Sequence, residues 1–248
     1  MMLTCPQELK LTQTGECTMI KICILGYGKM GRAIQEEIAA HTDAKVTVIV
    51  DRDTTLPGMV APEKLASRLS DFDVLVDFSS ALSNPILVEC AKAGKKLVVG
   101  TTARTVAQDA ELAAAVKAGK SSAVIAPNFS VGMNALFCLL KQADGLLAGY
   151  DREIVEEHHN QKKDAPSGTA KKLASIISLD PSKVHAIRAG EIFGEHEIIF
   201  AANGEVVRLS HSALSRRCFA NGAVRAAVWL GSKSDGKIHS FSEVLGFE

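Results

Sequence analysis

Apolar residues along this chain fall into short continuous runs separated by stretches of helical period. Lys21-Ile22-Cys23-Ile24-Leu25 and Val46-Thr47-Val48-Ile49-Val50 read as strands buried on both faces, as in a parallel sheet. Between them Ala33, Ile34, Ile38 and Ala39 recur at helical spacing. Further strands are predicted over 72–78, 96–99 and 122–126, with helices over 84–93 and 105–118. Strand and helix in alternation predict an α/β layer structure. After Asn128 the rhythm changes. A long apolar helix is predicted over 132–148 and a strand over 150–159, and Ala170, Leu173, Ala174 and Ile177 mark another helix. Strands follow over 184–188, 195–201 and 205–211, the last two joined by an Asn203-Gly204 hairpin turn. The stretch 215–231 is an amphipathic helix with Trp229 near its end. Grouped strands predict a separate α+β unit with an antiparallel or mixed sheet.

Composition narrows the function classes. The 248 residues are 47% hydrophobic, enough for substantial cores, and Lys+Arg and Asp+Glu balance at 28 each. No excess charge therefore points to nucleic acid or a membrane surface as partner. The six cysteines form no CxxC pair, and Cys23 and Cys138 sit inside apolar runs, which favours a reducing setting. No apolar run approaches the roughly 20 residues of a membrane span. Residues 1–18 lack the apolar core of a signal peptide and read as a flexible extension, with Met19 a candidate start of the fold. A soluble cytoplasmic protein is expected, or a stromal one in a plastid-bearing cell.

The first apolar run feeds into Gly26-Tyr27-Gly28-Lys29-Met30-Gly31, a GxGxxG, and the second ends at Asp51, twenty residues beyond Gly31. Strand, glycine turn, helix, strand and acid in this order predict a dinucleotide site. Gly26 makes the tight turn, Gly28 lets the backbone approach a pyrophosphate, and Gly31 lets the helix pack on the strand. Asp51 would accept hydrogen bonds from the adenosine ribose. A carboxylate there favours NAD, whereas the guanidinium of Arg52 suits a 2′-phosphate, so NADH and NADPH both stay open. Phe78, Gly100-Thr101-Thr102 and Ala126-Pro127-Asn128-Phe129 fall at the carboxyl ends of later strands, where open α/β sheets bind ligands.

The densest chemistry lies in Glu156-Glu157-His158-His159-Asn160-Gln161-Lys162-Lys163-Asp164-Ala165-Pro166-Ser167-Gly168-Thr169. His158 and His159 are adjacent on a predicted strand, so they should face opposite sides while the strand lasts and take different roles. An imidazole can pass a proton near neutral pH. Lys162 offers positive charge to a carboxylate, or a proton. Pro166 suits the first turn of a helix, and Ser167, Gly168 and Thr169 then offer hydroxyls and free amides to an anion. No metal site is predicted.

These segments occur in a telling order. Together with Arg188-Ala189-Gly190-Glu191-Ile192, Gly194-Glu195-His196 and Ser215-Arg216-Arg217-Cys218-Phe219-Ala220-Asn221-Gly222-Ala223, the chain from about Lys21 onward resembles the dihydrodipicolinate reductases, now called 4-hydroxy-tetrahydrodipicolinate reductases. The resemblance implies NADH- or NADPH-dependent reduction of a small cyclic dicarboxylate in the diaminopimelate route to lysine. It implies that His158 is the catalytic proton donor or acceptor and Lys162 a second proton donor. It also implies that His159, Gly168 and Thr169 contact substrate, and that residues 26–31, Asp51, 100–102 and 126–129 contact the cofactor. A homotetramer built through sheets of the second domain is implied as well. The chain departs from the family pattern in a phosphate loop shorter than the GxGGxMG type of many members, in the extra charge of Lys163, and in a trimmed stretch between Ser178 and Val184.

The resulting expectation is an α/β chain with a flexible extension over 1–18 and a Rossmann-type dinucleotide-binding domain over 19–128, to which 218–248 return. An α+β substrate-binding and oligomerisation domain with a mixed sheet is expected over 129–217. Two other functions fit the same residues: another small Rossmann imine or amino-acid dehydrogenase, or a protein that senses NAD(P) without turnover.

Overall fold

The computed structural model describes residues 19–40, 43–102, 104–202 and 204–247. The expectations for 1–18 and for Asn203 of the hairpin turn therefore lie outside the described residues. A parallel sheet is built from β1 (Ile20–Leu25), β2 (Ala44–Val50), β3 (Met59–Val60), β4 (Val74–Asp77), β5 (Lys96–Val99), β6 (Ala123–Ile125) and the late β11 (Ile238–His239). Its spatial order is β11-β6-β5-β4-β1-β2-β3. The order in which successive strands join the sheet reverses between β1 and β4, the place where such sheets bind ligands. Every residue of β4 is buried, as its uninterrupted Val-Leu-Val run requires of a strand covered on both sides.

Helices cover each face. On one side α1 (Lys29–Ala39), α6 (Arg217–Leu230) and α7 (Phe241–Leu245) pack Ile34, Ile38, Ala223, Ala227, Leu230 and Phe241 against Ile22, Ile24, Val74 and Val76. On the other, α2 (Asn84–Lys92), α3 (Val106–Ala118) and a 3-10 helix at Pro62–Asp71 bury Leu87, Leu112, Val116 and Leu65 against Cys23, Leu75 and Leu97. Each such Val, Leu, Ile or Phe side chain contributes about 1.5–3 kcal/mol by leaving water. The pairing of β11 with β6 and the burial of α6 and α7 carry the end of the chain back onto the first sheet.

A second sheet has the order β10-β9-β7-β8, from β7 (Asp151–His158), β8 (Val184–Arg188), β9 (Glu195–Ala202) and β10 (Glu205–Ser212). It is mixed: β7 runs parallel to β8 and antiparallel to β9, and β9 is antiparallel to β10. Phe200, Ile198 and Ile154 face α4 (Val131–Leu146) and α5 (Gly168–Ile176) in a core of their own. The two halves meet where α6 passes Phe129. A Cβ on Gly222 would lie 1.8 Å from the Phe129 carbonyl oxygen and 2.9 Å from the Phe241 ring. Glu37 of α1 is buried beside this junction, accepting from Asn221 Nδ2 (2.9 Å) and pairing with Arg217 Nε (3.0 Å). Gly222→Ala should therefore destabilise the fold by about 1–3 kcal/mol despite its better helix propensity, because backbone must move to admit one methyl group. A melting curve checks this, and an unchanged midpoint would show that the junction can give.

Among the described residues six elements escape the sequence pattern: β3, the 3-10 helices at Pro62–Asp71, Ala81–Ser83 and Pro181–Lys183, and the pair β11–α7. Strand ends also shift by a residue or two, outward in β1, β2, β9 and β10 and inward in β4, β6 and β7. The most consequential contraction is β7, which stops at His158 rather than 159.

Candidate active site

The glycine turn follows its steric logic. Gly26 has φ +91°, and a Cβ there would meet Ser79 at 2.8 Å. A Cβ on Gly31 would come within 2.1 Å of the Gly26 carbonyl oxygen, so the helix can pack here only without one. Gly28 has nothing within 4 Å, which leaves its backbone open to a ligand, and it caps α1 without a side chain. A cleft of about 310 Å³ at the switch point is lined by Gly26, Gly28, Asp51, Arg52, Phe78 and Leu82, among others. Asp51 holds the loop from below: Oδ2 accepts from the Tyr27 amide at 2.6 Å and Oδ1 from the Asp53 amide at 2.9 Å. The Tyr27 ring lies outside the cleft under the Arg32 guanidinium, and Lys29 lines a separate groove with Arg32 and Glu36. Thr101 is buried and accepts from the Ser79 amide at 3.0 Å, Ala126 is buried, and Thr102 is exposed. These three support the rim and do not line either cleft.

A second cleft, about 280 Å³, lies between the two sheets. Met30, Phe78, Gly100, Pro127, Asn128 and Phe129 approach it from the first half of the chain. His158, His159, Lys162, Thr169, Phe193, Arg216 and Phe219 approach it from the second. The two histidines therefore share one cleft, contrary to the expectation of opposite faces. With β7 ended at His158, the chain turns and His159 is no longer bound by strand alternation. Asn128 Nδ2 donates to Thr169 Oγ1 at 3.2 Å, a direct link between the two walls.

His158 is buried, and its Nδ1 meets Glu156 Oε2 in a short hydrogen bond. Residues two apart on a strand share a face, which is why Glu156 lies under the ring. Glu156 is itself wholly buried and receives the Arg188 guanidinium as a fork, Nη2 to Oε1 at 2.7 Å and Nη1 to Oε2 at 3.0 Å. The Ser167 amide also donates to Oε1, at 3.0 Å. Burial alone would raise the Glu156 carboxyl, but Arg188, Ser167 and His158 together hold it below the usual carboxylate range. Burial pushes the His158 imidazole down, with Glu156 opposing and Lys162 and Arg188 reinforcing. Gly194, at φ +148°, leaves the ring its space: a Cβ there would lie 3.1 Å from Nε2. His196 stands edge-on to His158 at 5.2 Å and is pushed down to about 3, chiefly by burial.

Lys162 Nζ pairs with Asp164 Oδ1 at 2.7 Å. At the mouth of α5, Ser167 is turned inward. Its hydroxyl caps the helix at the Ala170 amide (3.1 Å) and its own amide is committed to Glu156. Gly168 is exposed and Thr169 faces the cleft, so these two rather than Ser167 present the mouth to a ligand. Glu156, His158 and His196 offer metal-ligand atoms within 4.8 Å of one another. The Arg188 cation on the same carboxylate opposes a metal ion there, and the donors are already joined as a hydrogen-bond network. Sequence reasoning gave Glu156, Arg188, His196, Phe193 and Arg216 no role. The two-residue step from Glu156 to His158 was the one usable signal.

Comparison with known proteins fixes the family. The family description "Dihydrodipicolinate reductase, N-terminus" matches residues 20–129, and "Dihydrodipicolinate reductase, C-terminus" matches residues 132–245. The chain belongs to the dihydrodipicolinate reductase family. Among relatives of this family, 4-hydroxy-tetrahydrodipicolinate reductase of Methanosarcina barkeri is 39% identical over 268 residues, covering 92% of this chain and all of the relative. The enzyme of that name from Akkermansia muciniphila is 38% identical over 254 residues, covering 92% of this chain and 98% of its own. In fold, the chain is similar to dipicolinate-bound dihydrodipicolinate reductase from Paenisporosarcina sp. TG-14. That similarity has a TM-score of 0.74 at 23% identity, over 91% of this chain and 99% of the other. The reductase fold is also similar to C. glutamicum DAP dehydrogenase, with a TM-score of 0.62 at 12% identity over 91% of this chain and 94% of the other. Among the described residues no helix is long and apolar enough to cross a membrane.

Proposed function

We propose that this reductase uses NADH or NADPH to reduce 4-hydroxy-tetrahydrodipicolinate, by way of dihydrodipicolinate, to tetrahydrodipicolinate in lysine biosynthesis. The observation that carries this reading is the second cleft. It sets His158, His159, Lys162 and Thr169 opposite Phe78, Gly100, Pro127, Asn128 and Phe129. The residues on the first wall would hold the nicotinamide end of the cofactor, which supplies the hydride when bound. On the other wall, Lys162 with the Gly168 and Thr169 amides binds one carboxylate of the substrate, and His159 contacts the ring. Hydride arriving at one end of a conjugated C=C–C=N system leaves negative charge at the other. His158 Nε2 delivers the proton that quenches it, while Lys162 stabilises the charge. In the first cleft, Gly26 and Gly28 would cradle the pyrophosphate and Asp51 would face the ribose.

Both cofactors are accepted on this reading. Arg52 lines the adenosine cleft and has no ion-pair partner among the described residues, so it is free for a 2′-phosphate. Arg52→Ala should raise the KM for NADPH about tenfold or more, the worth of a charge-assisted bond, and leave that for NADH nearly unchanged. Equal effects on both would show that Arg52 does not read the phosphate. The reading as a whole is tested by a coupled assay that supplies the dihydrodipicolinate synthase product with NADH or NADPH. Oxidation of neither, with binding of both, would mean a cofactor sensor instead. We further propose a homotetramer joined through the exposed face of the second sheet, where Ile187 and Val206 lie open. Sedimentation velocity checks the assembly.

A further inference from the structure

The His158 ring uses one nitrogen within the protein. Nδ1 is bonded to Glu156, and among the described residues Nε2 has no hydrogen-bond partner while the ring lines the cleft. A carboxylate forked by a guanidinium and capped by an amide stays ionised and can only accept. The hydrogen between Glu156 and His158 therefore sits on Nδ1, and the neutral ring keeps its lone pair on Nε2, which takes up a proton from water so that the imidazolium delivers it from Nε2 and returns to the Nδ1–H form. We propose that Glu156 is a positioning residue for the reduction. Held by Arg188 and the Ser167 amide, it fixes the Nδ1–H form of His158 and turns Nε2 into the cleft. This rests on His158 being the proton donor of the proposed reaction.

The geometry makes the arrangement hard to replace. Arg188 lies directly across from His158 in the register of β8 on β7, so its side chain reaches the carboxylate from the neighbouring strand. Its Nη2 also donates to the Asp164 carbonyl oxygen at 2.6 Å, which ties the loop bearing Lys162 to the same guanidinium. Ser167 joins the mouth of α5 to the other carboxylate oxygen. One buried carboxylate thus sets the ring, the lysine loop and the helix mouth in a common frame.

Among the described residues Glu156 also supplies the one negative charge acting on the ring. The charges facing His158 are Glu156 on its own strand, Lys162 in the following loop and Arg188 on β8. From β9 comes His196, which is pushed down to about 3 and so stays neutral near pH 7. Asp164 is turned to Lys162. With Glu156 neutralised, burial and both remaining cations disfavour the imidazolium, and less of the ring is protonated at any given pH.

The test is a double-mutant cycle on the full-length protein, with turnover read from NADPH oxidation. Glu156→Gln should lower kcat about 10–100-fold, as loss of an orienting partner does, with KM little changed. In a His158→Gln background the same change should cost less than about threefold, because the isosteric amide keeps an oxygen for Arg188 and the Ser167 amide and only the route through the ring is gone. An equal factor in both backgrounds overturns the proposal and leaves Glu156 a structural residue. The limb along which kcat falls with rising pH should also move to lower pH in Glu156→Gln, and a loss uniform across pH would speak against it. Should the variant fail to fold, nitrogen-15 shifts of His158 in the wild-type enzyme decide, assigned by their absence in His158→Gln. A neutral ring carrying its proton on Nε2 overturns the proposal, and one carrying it on Nδ1 upholds it. An inactive wild-type enzyme would remove the proposed reaction itself, whereas an active one with an additive cycle removes only Glu156.

Discussion

His158→Gln should lower kcat by about 10²–10⁴-fold, the range for a lost general acid, while fluorescence titration shows NADH and NADPH binding unchanged. The ring lies on the wall opposite Phe78, Gly100 and Phe129, away from the glycine turn, so its removal leaves the dinucleotide cleft intact. The pH dependence has a definite sign. Burial, then Lys162 and Arg188, hold the imidazole below its ordinary value of 6.5 against the pull of Glu156. A proton donor is lost as pH rises through its pKa, so the falling limb of the wild-type profile should lie on the acid side of 6.5. His158→Gln should erase that limb as well as lower the plateau. A kcat within twofold of wild type, or a limb that survives the substitution, would take His158 out of the proton transfer.

The same residues show where sequence reasoning reaches. The dinucleotide half was legible because its constraints are local. Gly26, Gly28 and Gly31 act through backbone sterics at fixed spacing, and β1 and β4 are buried on both faces and so read as unbroken apolar runs. The cluster His158 to Thr169 was legible for a related reason: one strand end, one loop and one helix mouth deliver it on continuous backbone. What joins the site across the fold was not. Arg188 reaches Glu156 only because β8 pairs with β7 in one register, although the two are 32 positions apart in the chain. Phe193 and Arg216 meet in the cleft from separate loops, the guanidinium 5.3 Å from the ring centre. The expectation of separate faces for His158 and His159 rested on a strand that continues through both. Strand alternation would have placed them on opposite faces, and an early strand end places both in one cleft. Ser167 was misjudged for want of the same long-range knowledge, since its amide is claimed by a carboxylate eleven residues earlier.

Lys162→Met should lower kcat/KM by about 10–150-fold, the worth of a charge-assisted hydrogen bond of 1.5–3 kcal/mol, and more if the ammonium also gives up a proton. Two roles are asked of this one group, and Lys162→Arg separates them. Arginine keeps the positive charge for a substrate carboxylate but does not release a proton near neutral pH. If Lys162 mainly binds, Lys162→Arg should hold KM close to wild type and keep most of kcat. If it is a proton donor, KM should hold while kcat falls as far as in Lys162→Met. The ammonium is not idle without substrate, because Asp164 meets it at 2.7 Å. On the proposed reading, binding would exchange one carboxylate partner for another, with a smaller net gain than that of a bare ammonium meeting an anion. The Asp164 pair also explains how a half-buried lysine stays in place beside a histidine whose cation it would repel. Steady-state kinetics of the two variants at several substrate concentrations decide the matter. A Lys162→Met enzyme with unchanged kcat/KM would leave the carboxylate to His159 and the α5 mouth alone.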